Sequence, residues 1–430
     1  MWRKLRDIFI TKERALMIGI SLIVFLGLLF SPFNTTTVKE GVGSKPPLWF
    51  VNFDDNVIHF KPQAEISQRF TNIVHNAINH SQPLSILHIG DSHIQADFFT
   101  GETRKLLSSW LGDTVVARGF TFPYQIVGSN NPDDYEVKWK GNWERNRPAP
   151  NIQSKLGVAG ISISTSDTLS EFAISLKSKG KEMGWFDMVK ILSDSEDNGA
   201  IPSPKGFSTI VHSDINSTTY KLPDFVQHID IQITWNKSAG EKLTLYGVEL
   251  INSKSKLLYN AAGVNGASVQ SFLQSENFSQ LVSTLSPNLV IVSLGTNDTY
   301  NPNFNADEFR LNLVMLVSKI KSALPNALIL LSTPGDHLMN RVSPNPRLEL
   351  AHEVIFSVAG EMDCGVWDFY RVMGGAGSVN HWAEVGLFAP DKLHLNRNGY
   401  KFKGALLFEA LVKLTGDEFL VNSKYHLANE

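Results

Sequence analysis

Several short apolar runs, each closed by a glycine or a small polar residue and followed by an amphipathic stretch, limit the folds open to this chain. LSILHIG (84–90), LVIVSLG (289–295) and ALILLSTP (327–334) are such runs. A strand covered on one face alternates apolar and polar residues, whereas a strand covered on both faces reads as a continuous apolar run. EISQRFTNIVHNAINH (65–80) places Ile66, Phe70, Ile73, Val74 and Ala77 on one helical face. ADFFTGETRKLLSSWLG (96–112), ADEFRLNLVMLVSKIKSAL (306–324) and GYKFKGALLFEALVKLTG (399–416) are further amphipathic helices. Strands and helices in alternation predict a parallel sheet between helical layers.

The alternation stops near residue 119 and resumes near 259. Between them the chain shows short runs of period two, among them YEVKWKG, EFAISLKS, HIDIQITW and KLTLYGVELIN. NNPDD, SEDNGAIPSPKG and NKSAGE break them up. This is the pattern of a β-sandwich. The expected organisation is an α/β domain begun over 61–119, interrupted by a β module over 120–258 and completed over 259–415. Residues from about 34 to 60 read as a tether into the fold, and no internal repeat is present.

The N-terminus carries a basic segment, MWRKLRDIFITKER, followed by the uncharged ALMIGISLIVFLGLLF. The apolar stretch is about long enough to cross a bilayer, and Lys and Arg lie only on its N-terminal side. Residues 1–40 are therefore expected to form a cytoplasmic stub, a transmembrane signal anchor and the start of the tether. No small-x-small cleavage site follows the apolar run, although removal as a signal peptide is the alternative. The rest of the chain is expected outside the cytoplasm, in the periplasm and tethered to the inner membrane. A net charge of −3 gives no sign of a nucleic-acid surface, and the single cysteine, Cys364, excludes an internal disulfide.

In open parallel sheets, ligands bind beyond the carboxyl ends of the strands. Gly90-Asp91-Ser92 falls there, as does Gly295-Thr296-Asn297-Asp298; Asp391-Lys392-Leu393-His394 lies near the C-terminus. The glycine-rich NAAGVNGAS (260–268) sits where the β module hands back to the α/β domain. Singly, each has a plain structural reading: Ser92 as a helix cap, GTND as a turn, DKLH as the start of a helix. Together, and in this order, they point to one site. A serine hydroxyl needs a base to take its proton, imidazole titrates near neutrality, and a carboxylate fixes its tautomer. There is no G-x-S-x-G elbow, no H-E-x-x-H and no P-loop, and the chemistry requires no metal or cofactor.

The set of motifs resembles the SGNH/GDSL hydrolase superfamily. The resemblance implies a three-layer α/β/α fold with Ser92 as nucleophile and Asp391 and His394 as its partners. It implies an oxyanion hole from the Ser92 N–H, a glycine N–H at Gly266 and the Asn297 side chain, with Gly263 the less favoured glycine. GDSHIQADFFTGETR, LLYNAAGVNGASVQSF, WDFYRVMGG and APDKLHLNRNGY, with the β insert between the first two, resemble the Ape-type peptidoglycan O-acetylesterases of Gram-negative bacteria. That family carries a carbohydrate-binding-module-like sandwich in this position. The implied substrate is an O-acetylated cell-envelope polysaccharide, and the implied reaction removes acetyl from the C6 hydroxyl of N-acetylmuramic acid. Transfer of the acetyl group to another sugar through the same triad is the alternative, as is glycan binding without catalysis. In the insert, Trp139, Trp143, Trp185 and Trp235 are either sandwich core or platforms for sugar rings. Trp382, in the glycine-rich stretch before Asp391, is expected to line the cleft. His93 and Asp97 are left outside the catalytic set.

Overall fold

The computed structural model describes residues 48–79, 82–149, 152–177, 184–194, 199–235 and 242–416. The apolar stretch expected to cross a membrane lies outside the described residues. Among those described, no helix is long and apolar enough to do so.

Six strands form the central sheet: β1 (Ile58–His59), β2 (Leu84–Gly90), β3 (Leu257–Gly263), β4 (Leu289–Ser293), β5 (Leu328–Ser332) and β6 (Gly365–Trp367). Their order is β1-β6-β5-β4-β2-β3, parallel except for β1 at the edge. Successive residues of a strand face opposite sides. Leu84 and Ile86 of β2, Leu289 and Ile291 of β4 and Leu328 and Leu330 of β5 share one core. Leu87 and Ile89, Val290 and Val292, and Ile329 and Leu331 share the other. Helices Gln63–Ile78, Phe98–Trp110 and Arg397–Leu414 cover the first face; Phe278–Leu285, Ala306–Ala323 and Leu348–Glu361 cover the second. The result is a three-layer α/β/α fold, and burial on both faces explains the unbroken apolar runs.

The segment 48–60 is part of this fold, which corrects the tether reading. Phe50, Val51, Ile58 and Phe60 are buried, and Ile58 and His59 pair with Trp367 and Val366 of β6. A strand of two residues is too short to leave a periodic signal.

Between β2 and β3 the chain builds two antiparallel sheets. One has four strands, in the order Tyr135–Lys140, Glu171–Leu176, His228–Trp235, Ala200–Pro204. The larger is centred on Phe186–Ser193 and Leu243–Ile251. Val137, Phe172, Ile174 and Ile231 of the first share a core with Val189, Ile191, Leu245 and Val248 of the second. The entering strand Gly119–Thr121 pairs with the leaving strand Leu243–Ile251, so the module closes on itself where it joins the sheet.

Two polar networks join the module to the α/β part. The Phe120 N–H donates to Asn260 Oδ1 (2.7 Å), and Asn260 Nδ2 donates to Glu249 Oε1 (2.7 Å). Lys190 pairs with Glu249 at 3.1 Å. Nearby, Asp97 binds Arg104 (2.6 Å) and Arg118 (3.3 Å), and Arg118 Nε reaches Asp134 at 2.6 Å. Burial opposes the charge on Asp97, but Arg104 and Arg118 outweigh it and hold its carboxyl below the usual range.

Candidate active site

The register of the sheet brings distant parts of the chain to one edge. Gly90 at the end of β2 lies opposite Gly263 of β3 and Ser293 of β4. The residues that follow each strand therefore emerge side by side, at the point where the strand order reverses. Gly90 and Gly263 allow the short helix Ser92–Gln95 to sit directly on the strand ends. A Cβ at Gly263 would come within 2.7 Å of the Asp91 carbonyl oxygen, and one at Gly90 within 2.7 Å of the Ser293 carbonyl oxygen. Gly263 is thus a packing position within β3.

Asp91 caps this helix: its Oδ1 accepts from the His93 N–H at 3.0 Å. Ser92 is the first residue of the helix, where backbone N–H groups have no intrahelical acceptor. Its hydroxyl meets His394 Nε2 at 2.9 Å, and His394 Nδ1 meets Asp391 Oδ2 at 2.8 Å. A carboxylate on Nδ1 assigns the proton to that nitrogen and leaves Nε2 to accept from Ser92.

The loop carrying the last two residues is tightly folded. Asp391 Oδ1 accepts from the Leu393 N–H (3.0 Å) and the His394 N–H (2.9 Å), and Lys392 between them adopts a left-handed φ of 57°. The Ala389 N–H donates to the His394 carbonyl at 2.9 Å, and the Leu338 N–H to the Lys392 carbonyl at 2.9 Å. Burial opposes ionisation of Asp391, but the hydrogen bonds from His394 and Leu393 prevail and its carboxyl sits below the usual range. It is an ionised partner for imidazole at neutral pH.

Asn297 lies in the helix after β4, and its Nδ2 donates to the Ala267 carbonyl (2.9 Å) and to Asp91 Oδ2 (3.2 Å). Gly266 is exposed, with φ of 81° and no atom within 4 Å of the place a Cβ would occupy. Among the described residues, no acceptor takes its N–H. The turn holding it is fixed from two sides. The Asn265 N–H donates to Gln95 Oε1 at 2.8 Å, and the Val269 N–H donates to Asp298 Oδ1 at 3.1 Å.

The structure thus brings Ser92, Asp391, His394, Asn297 and Gly266 to one edge. It does not bring Trp382 there. Trp382 is fully buried, donates its indole N–H to the Met373 carbonyl (2.8 Å) and packs on Phe369 and Phe402. The glycine-rich stretch around it holds a helix, Ser378–Glu384, for which this indole is the core anchor. Of the insert tryptophans, Trp139 is exposed, while Trp143 and Trp235 pack against the core.

Four neighbours, His93, Gln95, Asp91 and Asp298, have no role assigned from the sequence. The His93 ring lies 5.1 Å from that of His394, and its Nδ1 meets the Tyr400 hydroxyl at 2.8 Å. Gln95 also donates to the Asn130 carbonyl (2.7 Å) and Ser129 Oγ (2.9 Å), so a loop of the β module borders the site. Asp91 is buried and Asp298 partly so, and the loss of solvent raises their carboxyls to about 6 and about 7. The signal available for them is position: each lies within the GDS–Gln95 helix or the GTND turn, beside a named candidate.

The profile of the GDSL-like Lipase/Acylhydrolase family matches residues 236–402. That span includes Gly266, Asn297, Asp391 and His394, while the insert separates it from Ser92. No curated relative matches the chain. Among solved structures, a peptidoglycan O-acetylesterase matches with 21% identity over 81% of this chain and 96% of its own, with a TM-score of 0.67. An acetyl xylan esterase matches at 19% identity over 35% of this chain and 80% of its own, with a TM-score of 0.30. An acetylxylan esterase from Geobacillus stearothermophilus matches at 18% over 38% and 74%, with a TM-score of 0.30. Residues 236–402 thus match the GDSL-like Lipase/Acylhydrolase family, the chain shares its fold with a peptidoglycan O-acetylesterase, and the relay from Ser92 through His394 to Asp391 is that of a serine esterase.

Proposed function

We propose that the protein removes O-acetyl groups from a cell-envelope polysaccharide, with the C6 O-acetyl of N-acetylmuramic acid in peptidoglycan as substrate. The observation that carries the chemistry is the relay from Ser92 Oγ through His394 to Asp391, at 2.9 and 2.8 Å. Support for the substrate is the fold shared with a peptidoglycan O-acetylesterase along most of both chains.

In this reading Ser92 Oγ attacks the acetyl carbonyl as His394 Nε2 takes its proton. Asp391 steadies the imidazolium. The oxyanion is met by the N–H groups of Ser92 and Gly266 and by Asn297 Nδ2, whose amide the Ala267 carbonyl and Asp91 hold in place. The sugar oxygen leaves with the proton from His394. A water, activated by the same imidazole, then releases acetate and restores Ser92. The exposed Trp139 offers a stacking surface on the module, and the loop at Ser129–Asn130 borders the cleft. The basic and apolar N-terminal sequence supports a periplasmic location at the inner membrane, where this substrate lies.

The test follows acetate released from O-acetylated peptidoglycan by the full chain, with acetylated xylan alongside. Release that depends on Ser92 and is fastest on peptidoglycan supports both parts of the reading. Faster release from xylan keeps the chemistry and removes the substrate assignment. Acetyl groups that leave the donor and reappear on another sugar replace hydrolysis with transfer.

A further inference from the structure

Lys403 has no role in the steps above, yet it lies beneath them. The helix Arg397–Leu414 is buried on nearly every side, and Lys403 in its second turn is only 6% exposed. The helix presses on Phe98–Trp110 through Gly404, where a Cβ would come within 2.6 Å of the Phe99 carbonyl oxygen. This contact directs Lys403 inward. Its ammonium lies 4.1 Å from the ring centre of Phe369, 4.7 Å from that of Phe99 and 6.0 Å from that of Trp367. Aromatic faces favour a cation over a neutral amine.

Beyond the rings is a cavity of about 30 Å³ at the carboxyl end of the sheet, lined by Lys403, Asp91, Ser293, Thr333 and His337 among others. A cavity of that size accommodates a single water. Asp91 is the carboxylate that favours the charged form of Lys403, and Lys403 in turn favours the carboxylate of Asp91.

We propose that Lys403 is a positioning residue for the acyl-transfer site. Its buried positive charge keeps Asp91 an ionised acceptor, and Asp91 holds the Asn297 amide and caps the nucleophile helix through the His93 N–H. The inference rests on the esterase reading above.

The surroundings of the pair agree with this. Asp91 is faced by the His93 N–H from the nucleophile turn, by Asn297 and Asp298 from the helix after β4, and by His394 from the last loop. Burial raises its carboxyl to about 6 even with Lys403 and His394 favouring the ionised form. Lys403 is faced by Asp91, by His88 of β2, by His93, and by Asp336 and His337 across the cavity. Burial holds His88 and His337 down to about 3 and about 4, and His93 well below its ordinary value, so these histidines are neutral near pH 7. Burial lowers Lys403 to about 8, which leaves a window between about 6 and 8 in which both members of the pair are charged.

The sign of the effect follows. Without the cation Asp91 takes up its proton at higher pH, and the Asn297 amide keeps the Ala267 carbonyl but loses its ionised acceptor over a range where the wild type has it. The test is kcat and KM of the full chain on p-nitrophenyl acetate from about pH 5 to 9, for wild type, Lys403→Met, Lys403→Arg, Asp91→Asn and the double variant Lys403→Met/Asp91→Asn. Lys403→Met should lower kcat about fivefold near pH 6, leave KM unchanged and recover to within about twofold near pH 9, because the acid limb moves up by about one unit. Lys403→Arg should keep the wild-type acid limb. In the Asp91→Asn background, Lys403→Met should cost less than about twofold, since two residues acting through one contact are not additive.

A loss equal at both ends of the pH range, or one that multiplies with Asp91→Asn, overturns the proposal. If Lys403→Met does not fold, Lys403→Gln is measured in its place against the same outcomes. Absence of Ser92-dependent turnover in the wild type overturns the esterase reading itself. Ser92-dependent turnover with a Lys403→Met profile matching wild type overturns this inference alone.

Discussion

The crown of the parallel sheet and the seam with the β module both bury charge, but they treat it differently. At the seam, charge meets charge: Asp97, Arg104 and Arg118 are nearly inaccessible and close on one another. At the crown, Asp391 is held by two backbone N–H groups and the His394 ring, and the working atoms stay open. The side chains of His394 and Asp391 are 33% and 38% exposed, and Ser92 and Gly266 also reach the surface. The contrast teaches that a joint is strongest when its polar groups satisfy each other, whereas a site keeps groups whose partner is the substrate.

Substitutions should separate the two regions. Ser92→Ala should lower kcat by at least about 10⁴-fold with the thermal midpoint unchanged, because the triad acts as a unit. Arg118→Met should do the reverse. It leaves Asp97 and Asp134 short of a buried partner, with an expected loss of about 3 kcal/mol by denaturant titration. Activity per folded molecule should persist below the unfolding transition. A large stability loss in Ser92→Ala, or none in Arg118→Met, would break the comparison.

Asn297 tests the boundary between the regions, since its amide serves both packing and chemistry. Asn297→Ala should lower kcat by about 10²-fold, the scale of one oxyanion donor, with a smaller loss of stability from the freed Ala267 carbonyl. Measuring kcat and the thermal midpoint on the same preparation checks both.

The smallest expected effect is a pH dependence at Asp298. Burial raises its carboxyl to about 7 from an unfolded value of 3.8. A raised group contributes stability that is full below the unfolded value and is lost as pH rises through the folded one. The wild type should therefore lose stability through this group between about pH 4 and 7. Asp298→Asn, which keeps an acceptor for the Val269 N–H, should flatten that part of the curve. Parallel thermal midpoints of the two proteins at pH 5 and 8 would contradict the assignment.

The sequence is most legible where a residue's role is local. Runs buried on both faces reveal the strands β2, β4 and β5, because burial on two sides leaves no alternation. GDS, GTND and DKLH are legible because each is a turn whose chemistry lies within four residues. What the sequence hides depends on packing between segments. Arg104 and Lys403 sit in helices with an amphipathic pattern, where a charged residue reads as the solvent face. The first is drawn inward by Asp97, and the second is enclosed because its helix is covered nearly all round. Trp382 reads as a cleft residue because its seven-residue helix is too short to show a period. Its burial comes from Phe50, Phe369 and Phe402, in three separate elements of the chain. Asp91 stands out only as part of its motif, because a hydrogen bond to Asn297 spans 206 positions.

The central claim is that Ser92 carries the acetyl group between substrate and water. Rapid quenching of the full chain with p-nitrophenyl acetate, followed by mass spectrometry of the peptide containing Ser92, tests it most directly. The account predicts a gain of one acetyl group on that serine, formed in the first turnover, lost on standing and absent from Ser92→Ala. Turnover with no acetyl on Ser92, or equal turnover by Ser92→Ala, would contradict it.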